Sequence, residues 1–160
     1  GLALLMQIEK SRKVSAIFWV LSVICMAVIF YFSSRTADES SAQSSNVVGW
    51  LTSLFGDNIF TTFIVRKGAH FLEYTGLCLL LNWAWIFTRG KASPLFSVGL
   101  SSLYAVTDEL HQLFVEGRSC EVRDWAIDTA GAILGAAAFY VTLLIVRLIL
   151  KRIDISKNKL

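Results

Sequence analysis

Four apolar segments, each about the length of a membrane-spanning helix, constrain this chain more than any other feature. They cover residues 14–32, 68–88, 94–114 and 124–148. A hydrocarbon core about 30 Å thick requires roughly 20 apolar residues in a helix, and each segment meets that length. Composition agrees, because 55% of the 160 residues are hydrophobic, 17% are charged and the mean hydropathy is +0.59. We therefore predict an all-α integral membrane protein built as a four-helix bundle.

The chain is predicted to form one domain, from residue 6 to residue 160. Residues 1–5, GLALL, precede Met6 and are interpreted as a truncated start or an added extension. The first apolar segment follows basic residues, as a signal peptide does. It is too long for that role and ends in FSSR instead of a small-residue cleavage site, so we expect a retained helix.

Basic residues at the segment ends predict the orientation in the membrane. They form three groups: Lys10, Arg12 and Lys13; Arg89 and Lys91; Lys151, Arg152, Lys157 and Lys159. Cytoplasmic loops are enriched in Lys and Arg, and these groups alternate as four spans require when both termini are cytoplasmic. The net charge of +3 is spread over segment ends and forms no basic face, so no nucleic-acid partner is predicted.

The long loop of residues 33–65 would then lie on the outer side. Its first half is polar and serine-rich, whereas its second half, VVGWLTSLFGDNIFTTFIV, is apolar but interrupted by Asp57 and Asn58. We predict an amphipathic helix at the membrane interface in this second half. A re-entrant segment is the alternative.

Unusual polar residues gather at the predicted outer ends of the last three segments. Arg66, His70 and Glu73 recur at helical spacing and share one face of the second segment. Two further faces carry Asp108, His111 and Gln112 on the third segment, and Asp124, Asp128, Gly131 and Gly135 on the fourth. A charge in hydrocarbon costs roughly 2.5–3.5 kcal/mol unless it faces a partner or a wet cavity. Three polar faces at one depth therefore predict a single outward-facing pocket, with the two glycines admitting a neighbouring helix.

Ion pairing between helices is the alternative explanation for these charges. Glu73 paired with Arg66, and Asp108 paired with Arg118, would hold the helices together without any chemistry. The sequence leaves both explanations open.

Four motifs in a fixed order resemble the VanZ-like family of small bacterial membrane proteins. They are FSSR after the first segment, RKxxHFxEY at the second, YAxxDExHQxFxxGR closing the third, and an aspartate with a trailing GAxxG in the fourth. The resemblance covers about residues 30–140, and the ordered combination is more specific than any one motif. It implies a multi-pass protein of the bacterial cytoplasmic membrane, associated with resistance to teicoplanin and related lipoglycopeptide antibiotics.

The polar signature of the family can be carried over by position. It falls on Arg66, Lys67, His70, Glu73, Tyr74, Asp108, Glu109, Gln112, Arg118 and Asp124. Two positions depart from the family pattern. Glu116 stands where proline is expected, and Asp128, where asparagine is usual, adds a carboxylate to the predicted pocket.

We interpret the pocket as a site for a phosphate-bearing envelope lipid or a lipid-linked cell-wall precursor, with cations binding the phosphate oxygens. The candidate ligand-binding residues are Arg66, Lys67, Tyr74, Gln112, Arg118 and Asp124. The candidate catalytic residues are His70, Glu73, Asp108 and Glu109. Head-group hydrolysis or transfer would need such proton-transfer groups. The alternative is non-catalytic binding of an envelope lipid or of the lipid tail of a lipoglycopeptide.

Three further alternatives remain at this point. A divalent metal would find ligands among Asp108, Glu109, Asp124, Asp128, His70 and His111, but no HExxH or comparable spacing is present, so the cofactor is unknown. An intramembrane protease is disfavoured because the clustered cations suit phosphate better than peptide. Transport is least favoured, because four spans leave little room for alternating access and no inverted repeat is visible.

Overall fold

The computed structural model describes residues 10–56 and 61–157, and this part of the chain forms five α-helices and no strand. In chain order the helices are α1 (Arg12–Ser33), α2 (Ala37–Phe55), α3 (Thr62–Arg89), α4 (Pro94–Gln112) and α5 (Val122–Lys157). The prediction of an all-α fold is confirmed. The four apolar segments correspond to α1, α3, α4 and α5, although α4 ends at Gln112, two residues before the third predicted segment does.

Two helices in the described part of the chain, α1 and the Val122–Ile149 portion of α5, are long and apolar enough to cross a membrane. Side-chain exposure fits an apolar environment, because large apolar residues such as Val23 and Val141 are exposed while Ser101 is buried. Small polar residues between helices and apolar residues outside are typical of helix packing in membranes. α3 and α4 carry most of the ionisable residues described below.

Helix α3 contacts each of the other four helices. It runs antiparallel to α1, because the Ser11 backbone N–H donates to the Phe87 carbonyl oxygen at 3.1 Å while Cys25 Sγ lies 4.0 Å from the Glu73 carbonyl oxygen. The amino end of α1 therefore lies beside the carboxyl end of α3.

Helices α3 and α5 run parallel and approach closely at two glycines. A Cβ atom at Gly131 would collide with the Phe71 carbonyl oxygen, and one at Gly135 would collide with the Thr75 carbonyl oxygen. Thr75 Oγ1 donates a hydrogen bond of 2.9 Å to the Gly131 carbonyl oxygen. The expectation that these glycines admit a neighbouring helix is confirmed.

Helix α4 lies beside α1 and runs in the same direction. Tyr104 Oη donates to the Met26 carbonyl oxygen at 2.7 Å, and Gln112 Nε2 donates to Ser33 Oγ at 3.1 Å. The carboxyl ends of α1 and α4 therefore lie together with the amino ends of α3 and α5. We call this the polar end of the molecule.

The prediction of a helix confined to the second half of the loop is wrong in its position. α2 begins at Ala37, inside the serine-rich stretch, and ends at Phe55. A capping box starts it, because Glu39 N donates to Thr36 Oγ1 at 3.3 Å and Thr36 N donates to Glu39 Oε2 at 3.1 Å. The capping hydrogen bonds thus allow the helix to begin in a serine-rich stretch whose composition does not favour a helix.

The last residues of the predicted loop helix belong instead to α3. Thr61 caps that helix by accepting a hydrogen bond from Ile64 N at 3.2 Å. The prediction that Asp57 and Asn58 interrupt an apolar segment falls outside the described residues.

Candidate functional site

Three side chains from three helices meet at the polar end. They are His70 of α3, Asp108 of α4 and Asp128 of α5, and one ligand atom of each lies within 4.8 Å of the other two. His70 Nδ1 lies 3.7 Å from Asp128 Oδ1. The three predicted polar faces therefore come together at these residues, which we call the His–Asp–Asp cluster.

The two aspartates of the His–Asp–Asp cluster are deeply buried, and the cluster has few hydrogen-bond partners. Asp128 is 1% exposed and Asp108 is 2% exposed. Within the described residues, both carboxylate oxygens of Asp128, Oδ1 of Asp108 and Nδ1 of His70 lack a hydrogen-bond partner. Gln112 Nε2 donates to the other Asp108 oxygen at 3.4 Å. Buried polar atoms are rarely left without partners, so this group calls for a ligand or a proton.

Beside the cluster, Lys67 of α3 forms an ion pair with Asp124 of α5. The two side chains are only 14% and 15% exposed. The ammonium group of Lys67 is thus engaged by the protein itself. The sequence prediction had placed both residues among the ligand contacts.

The ion pairs considered as an alternative are not formed. Among residues 10–56 and 61–157, no salt bridge joins Glu73 to Arg66 or Asp108 to Arg118. The side chains of Arg66 and Glu73 line a common cavity instead.

That cavity has a volume of about 210 Å³ and lies between the end of α1, helices α2 and α3, and the loop that follows α4. Its polar lining includes Arg66, His70, Glu73 and Arg118, and its apolar lining includes Phe32, Val47 and Val65. A smaller polar cavity of about 70 Å³ shares Arg66, His70 and Arg118 with it. These three residues therefore face both spaces.

Arg118 is positioned by the loop between α4 and α5. Its Nε donates to the Arg35 carbonyl oxygen at 3.1 Å, and the preceding Gly117 has a φ of +72° that favours glycine. Burial, together with the nearby Arg66 guanidinium, lowers the pKa of Arg118 from its ordinary value, although an arginine stays protonated at neutral pH. An anion bound near both arginines would offset this unfavourable environment.

Two other predicted site residues have partners within the fold. Glu109 is buried, and its Oε2 accepts a hydrogen bond of 2.9 Å from the Glu121 backbone N–H. Gln112 joins Asp108 to Ser33 of α1. Both contacts hold the loop and the helix ends around the cluster in place.

Two aromatic residues at the same end differ in their surroundings. Tyr74 is fully buried, and its hydroxyl group has no partner in the described part of the chain. His111 packs on Phe30, with ring centroids 4.4 Å apart, and is not part of the His–Asp–Asp cluster. The shared face predicted for Asp108, His111 and Gln112 therefore divides between two environments.

Sequence reasoning missed the contribution of α2 to the cavity. Ser40, Gln43 and Ser44 of this helix line it. The signal that would have found them is the Thr-x-x-Glu pattern of Thr36 and Glu39, which predicts a helix start ahead of the serine-rich stretch.

An all-helical chain with two helices able to cross a membrane, exposed apolar surfaces and a buried ionisable cluster is typical of an integral membrane protein. A family model described as VanZ/LLP1 matches residues 18–147. The chain belongs to the VanZ/LLP1 family, which confirms the resemblance noted in its motifs. No match was found among curated proteins or among solved structures.

Proposed function

We propose that this protein crosses the bacterial cytoplasmic membrane four times and binds the phosphate-bearing head group of an envelope lipid at its polar end. The observation that carries the proposal is the cavity lined by Arg66 and Arg118 beside apolar side chains. A lipid-linked cell-wall precursor is one such ligand. Binding of such a precursor would link the site to the teicoplanin resistance with which the family resemblance associates this chain.

The charges of the cavity favour a phosphate group. Arg66 forms no side-chain hydrogen bond or ion pair within the described residues, so its five donors are available to a ligand. Arg118 keeps further N–H groups beyond the one that contacts Arg35. Arginine binds phosphate through paired, charge-assisted hydrogen bonds. Because Lys67 is engaged by Asp124, the proposal rests on the two arginines.

The dimensions of the cavity favour a head group over a whole lipid. Its volume of about 210 Å³ is below the roughly 300–1,000 Å³ of sites that enclose drug-sized ligands. The acyl chains would remain outside, where Trp50, Leu54 and Phe55 of α2 expose apolar surface. A helix of this kind lying at the interface would let a lipid head enter while its chains stay in the membrane.

Replacing Arg66 with glutamine should weaken phospholipid binding by roughly 10- to 100-fold, because a hydrogen bond to a charged group contributes roughly 1.5–3 kcal/mol. The measurement is native mass spectrometry of the purified protein titrated with phosphatidylglycerol, and separately with a polyprenyl phosphate. Diacylglycerol, which has no phosphate, should not be retained.

Arg89→Gln is the matched control for this experiment. Arg89 is the last residue of α3, at the opposite end of the same helix from the polar end, and packs over Trp85. This variant should bind the lipids like the wild type. Equal retention of the phospholipids and diacylglycerol, or equal losses in both arginine variants, would contradict the proposal.

Chemistry on the bound head group is the second candidate function. It is favoured by His70 and Glu73, which line the same cavity as the two arginines and supply groups able to transfer a proton. Incubation with the same lipids, followed by mass analysis of the products, separates the two functions. If the wild type converts the lipid and Glu73→Gln binds the lipid without converting it, the protein is an enzyme. If the wild type leaves the lipids chemically unchanged, binding is its function.

The four-span topology predicts which cysteines can be labelled from outside. Cys120 is an exposed free cysteine in the loop between α4 and α5, at the polar end. A membrane-impermeant maleimide applied to spheroplasts should label it, and Cys120→Ser should abolish the signal. In that background Lys91→Cys, in the loop between α3 and α4, should stay unlabelled until the membrane is permeabilised. Labelling of Lys91→Cys in intact spheroplasts would contradict the topology.

A further inference from the structure

We infer that the His–Asp–Asp cluster binds one divalent transition-metal ion, Zn²⁺ or Mn²⁺, through His70, Asp108 and Asp128. The sequence contains no recognisable metal motif because the three ligands come from three different helices. The inference stands on their geometry, burial and charge.

The spacing of the donor atoms suits a metal ion. Atoms bound to Zn²⁺ at about 2.0–2.2 Å can lie no more than roughly 4.4 Å from one another. One donor atom from each of the three residues already lies within 4.8 Å of the other two. Tetrahedral coordination places the donor atoms roughly 3.4 Å apart, so side-chain rotations that bring these atoms closer by up to about 1.4 Å would complete it.

All three residues of the cluster carry buried atoms without hydrogen-bond partners in the described part of the chain. Asp128 is almost fully buried and has no hydrogen bond to either carboxylate oxygen within the described residues. Asp108 Oδ1 and His70 Nδ1 are likewise buried and unpartnered there. A metal ion satisfies such lone pairs on imidazole nitrogen and carboxylate oxygen atoms together, which a single water molecule does less well because it carries only two protons.

The charges of the cluster also suit a cation when both carboxylates are ionised. In the described part of the chain, no lysine or arginine forms a salt bridge with Asp108 or Asp128, and the nearby Lys67 is paired with Asp124. Two ionised carboxylates beside a neutral imidazole carry two negative charges, which one divalent ion neutralises. Buried charges persist in proteins when they are paired or coordinate a metal.

The chemical types of the three ligand atoms favour some metal ions over others. Imidazole suits Zn²⁺ and other transition metals, whereas carboxylates alone suit Mg²⁺, Ca²⁺ and Mn²⁺. One imidazole with two carboxylates therefore favours Zn²⁺ or Mn²⁺ over Mg²⁺ or Ca²⁺. With three protein ligands, the ion would keep at least one position open.

Metal binding does not depend on the proposed lipid. If the lipid proposal also holds, the two sites meet at His70, which belongs to the cluster and lines the cavity of Arg66 and Arg118. A metal ion there would add positive charge beside the bound phosphate. The following experiment omits lipid ligands, so its failure would leave the lipid proposal standing.

The test is metal binding by the full-length protein in a lipid-free detergent after treatment with a chelator. Isothermal titration with Zn²⁺ and Mn²⁺, and electron paramagnetic resonance with Mn²⁺, should show one ion per chain. Mg²⁺ and Ca²⁺ should bind more weakly. Asp128→Asn should weaken binding by roughly 100-fold, since loss of a direct ligand exceeds or matches the 10- to 100-fold effect typical of outer contacts.

Asp38→Asn is the matched control, because Asp38 is an exposed aspartate of α2 away from the cluster. It should leave metal binding unchanged. Asp108→Asn and His70→Gln provide independent tests if Asp128→Asn does not fold. Metal-free Asp128→Asn should melt at a temperature equal to or above that of the metal-free wild type, and its melting temperature should no longer rise with metal. Absence of binding to the wild type, or binding that these three variants leave intact, would overturn the inference.

Discussion

Replacing Gly131 with alanine should lower the free energy of unfolding by about 2–3 kcal/mol, the upper range of the cost of overpacking a tight interface. The added Cβ would collide with the Phe71 carbonyl oxygen, which belongs to the backbone and cannot rotate away. α3 and α5 would have to separate. That movement would also strain the hydrogen bond from Thr75 Oγ1 to the Gly131 carbonyl oxygen.

Gly76→Ala is the matched control. Gly76 lies in α3, and a Cβ there would meet no atom within 4 Å. Because alanine is favoured over glycine inside a helix by roughly 0.5–1 kcal/mol, this variant should be unchanged or slightly more stable. Unfolding in mixed detergent, followed by circular dichroism, measures both. Equal destabilisation of the two variants would show that α3 and α5 do not pack through Gly131.

Removing the charge of Lys67 should cost roughly 2–3 kcal/mol of stability. Breaking a fully buried ion pair costs roughly 3–5 kcal/mol, because the remaining charge stays buried without a partner. The Lys67 and Asp124 side chains are slightly exposed, so solvent reduces the cost. In Lys67→Met, the Asp124 carboxylate would lose its ion-pair partner on α3 and keep only the longer contact with Arg123 Nε, at 3.9 Å.

A double-mutant cycle measures the interaction energy between Lys67 and Asp124 apart from the effect of each substitution alone. Lys67→Met combined with Asp124→Asn should recover at least about 1 kcal/mol relative to the sum of the single changes. The exposed pair of Arg35 and Glu39, with charged atoms 3.5 Å apart, is the comparison. Arg35→Met should leave the free energy of unfolding nearly unchanged, because solvent screens an exposed pair. Additive effects at Lys67 and Asp124 would show that they do not interact.

The positions of the cluster and the cavity also indicate which polar residues can take part in chemistry and which position the loop. Arg66, His70 and Glu73 line one cavity, whereas Glu109 is bonded to the loop backbone and His111 packs on Phe30. Within the proposed function, Glu109 therefore positions the loop. Proton transfer is better assigned to Glu73, which faces the cavity, because His70 is a ligand of the metal ion inferred above.

Several features of the fold and the site were predictable from the sequence. The helical spacing of Arg66, His70 and Glu73 placed them on one face, and they do line one cavity. The glycine pair at Gly131 and Gly135 indicated close helix packing, which α3 and α5 show. These features are local to one helix, so its pitch and side-chain sizes are enough to predict them.

Contacts between helices were decided by the tertiary structure. The sequence offered Arg66 and Arg118 as partners for the acidic residues, yet the ion pair formed is that of Lys67 and Asp124. Likewise, the spacing within α4 grouped His111 with Asp108, but packing turned His111 onto Phe30. Helical periodicity determines which residues share a face. Which faces meet, and at what height, depends on how closely the helices approach, and here the small Gly131 and Gly135 set that approach between α3 and α5.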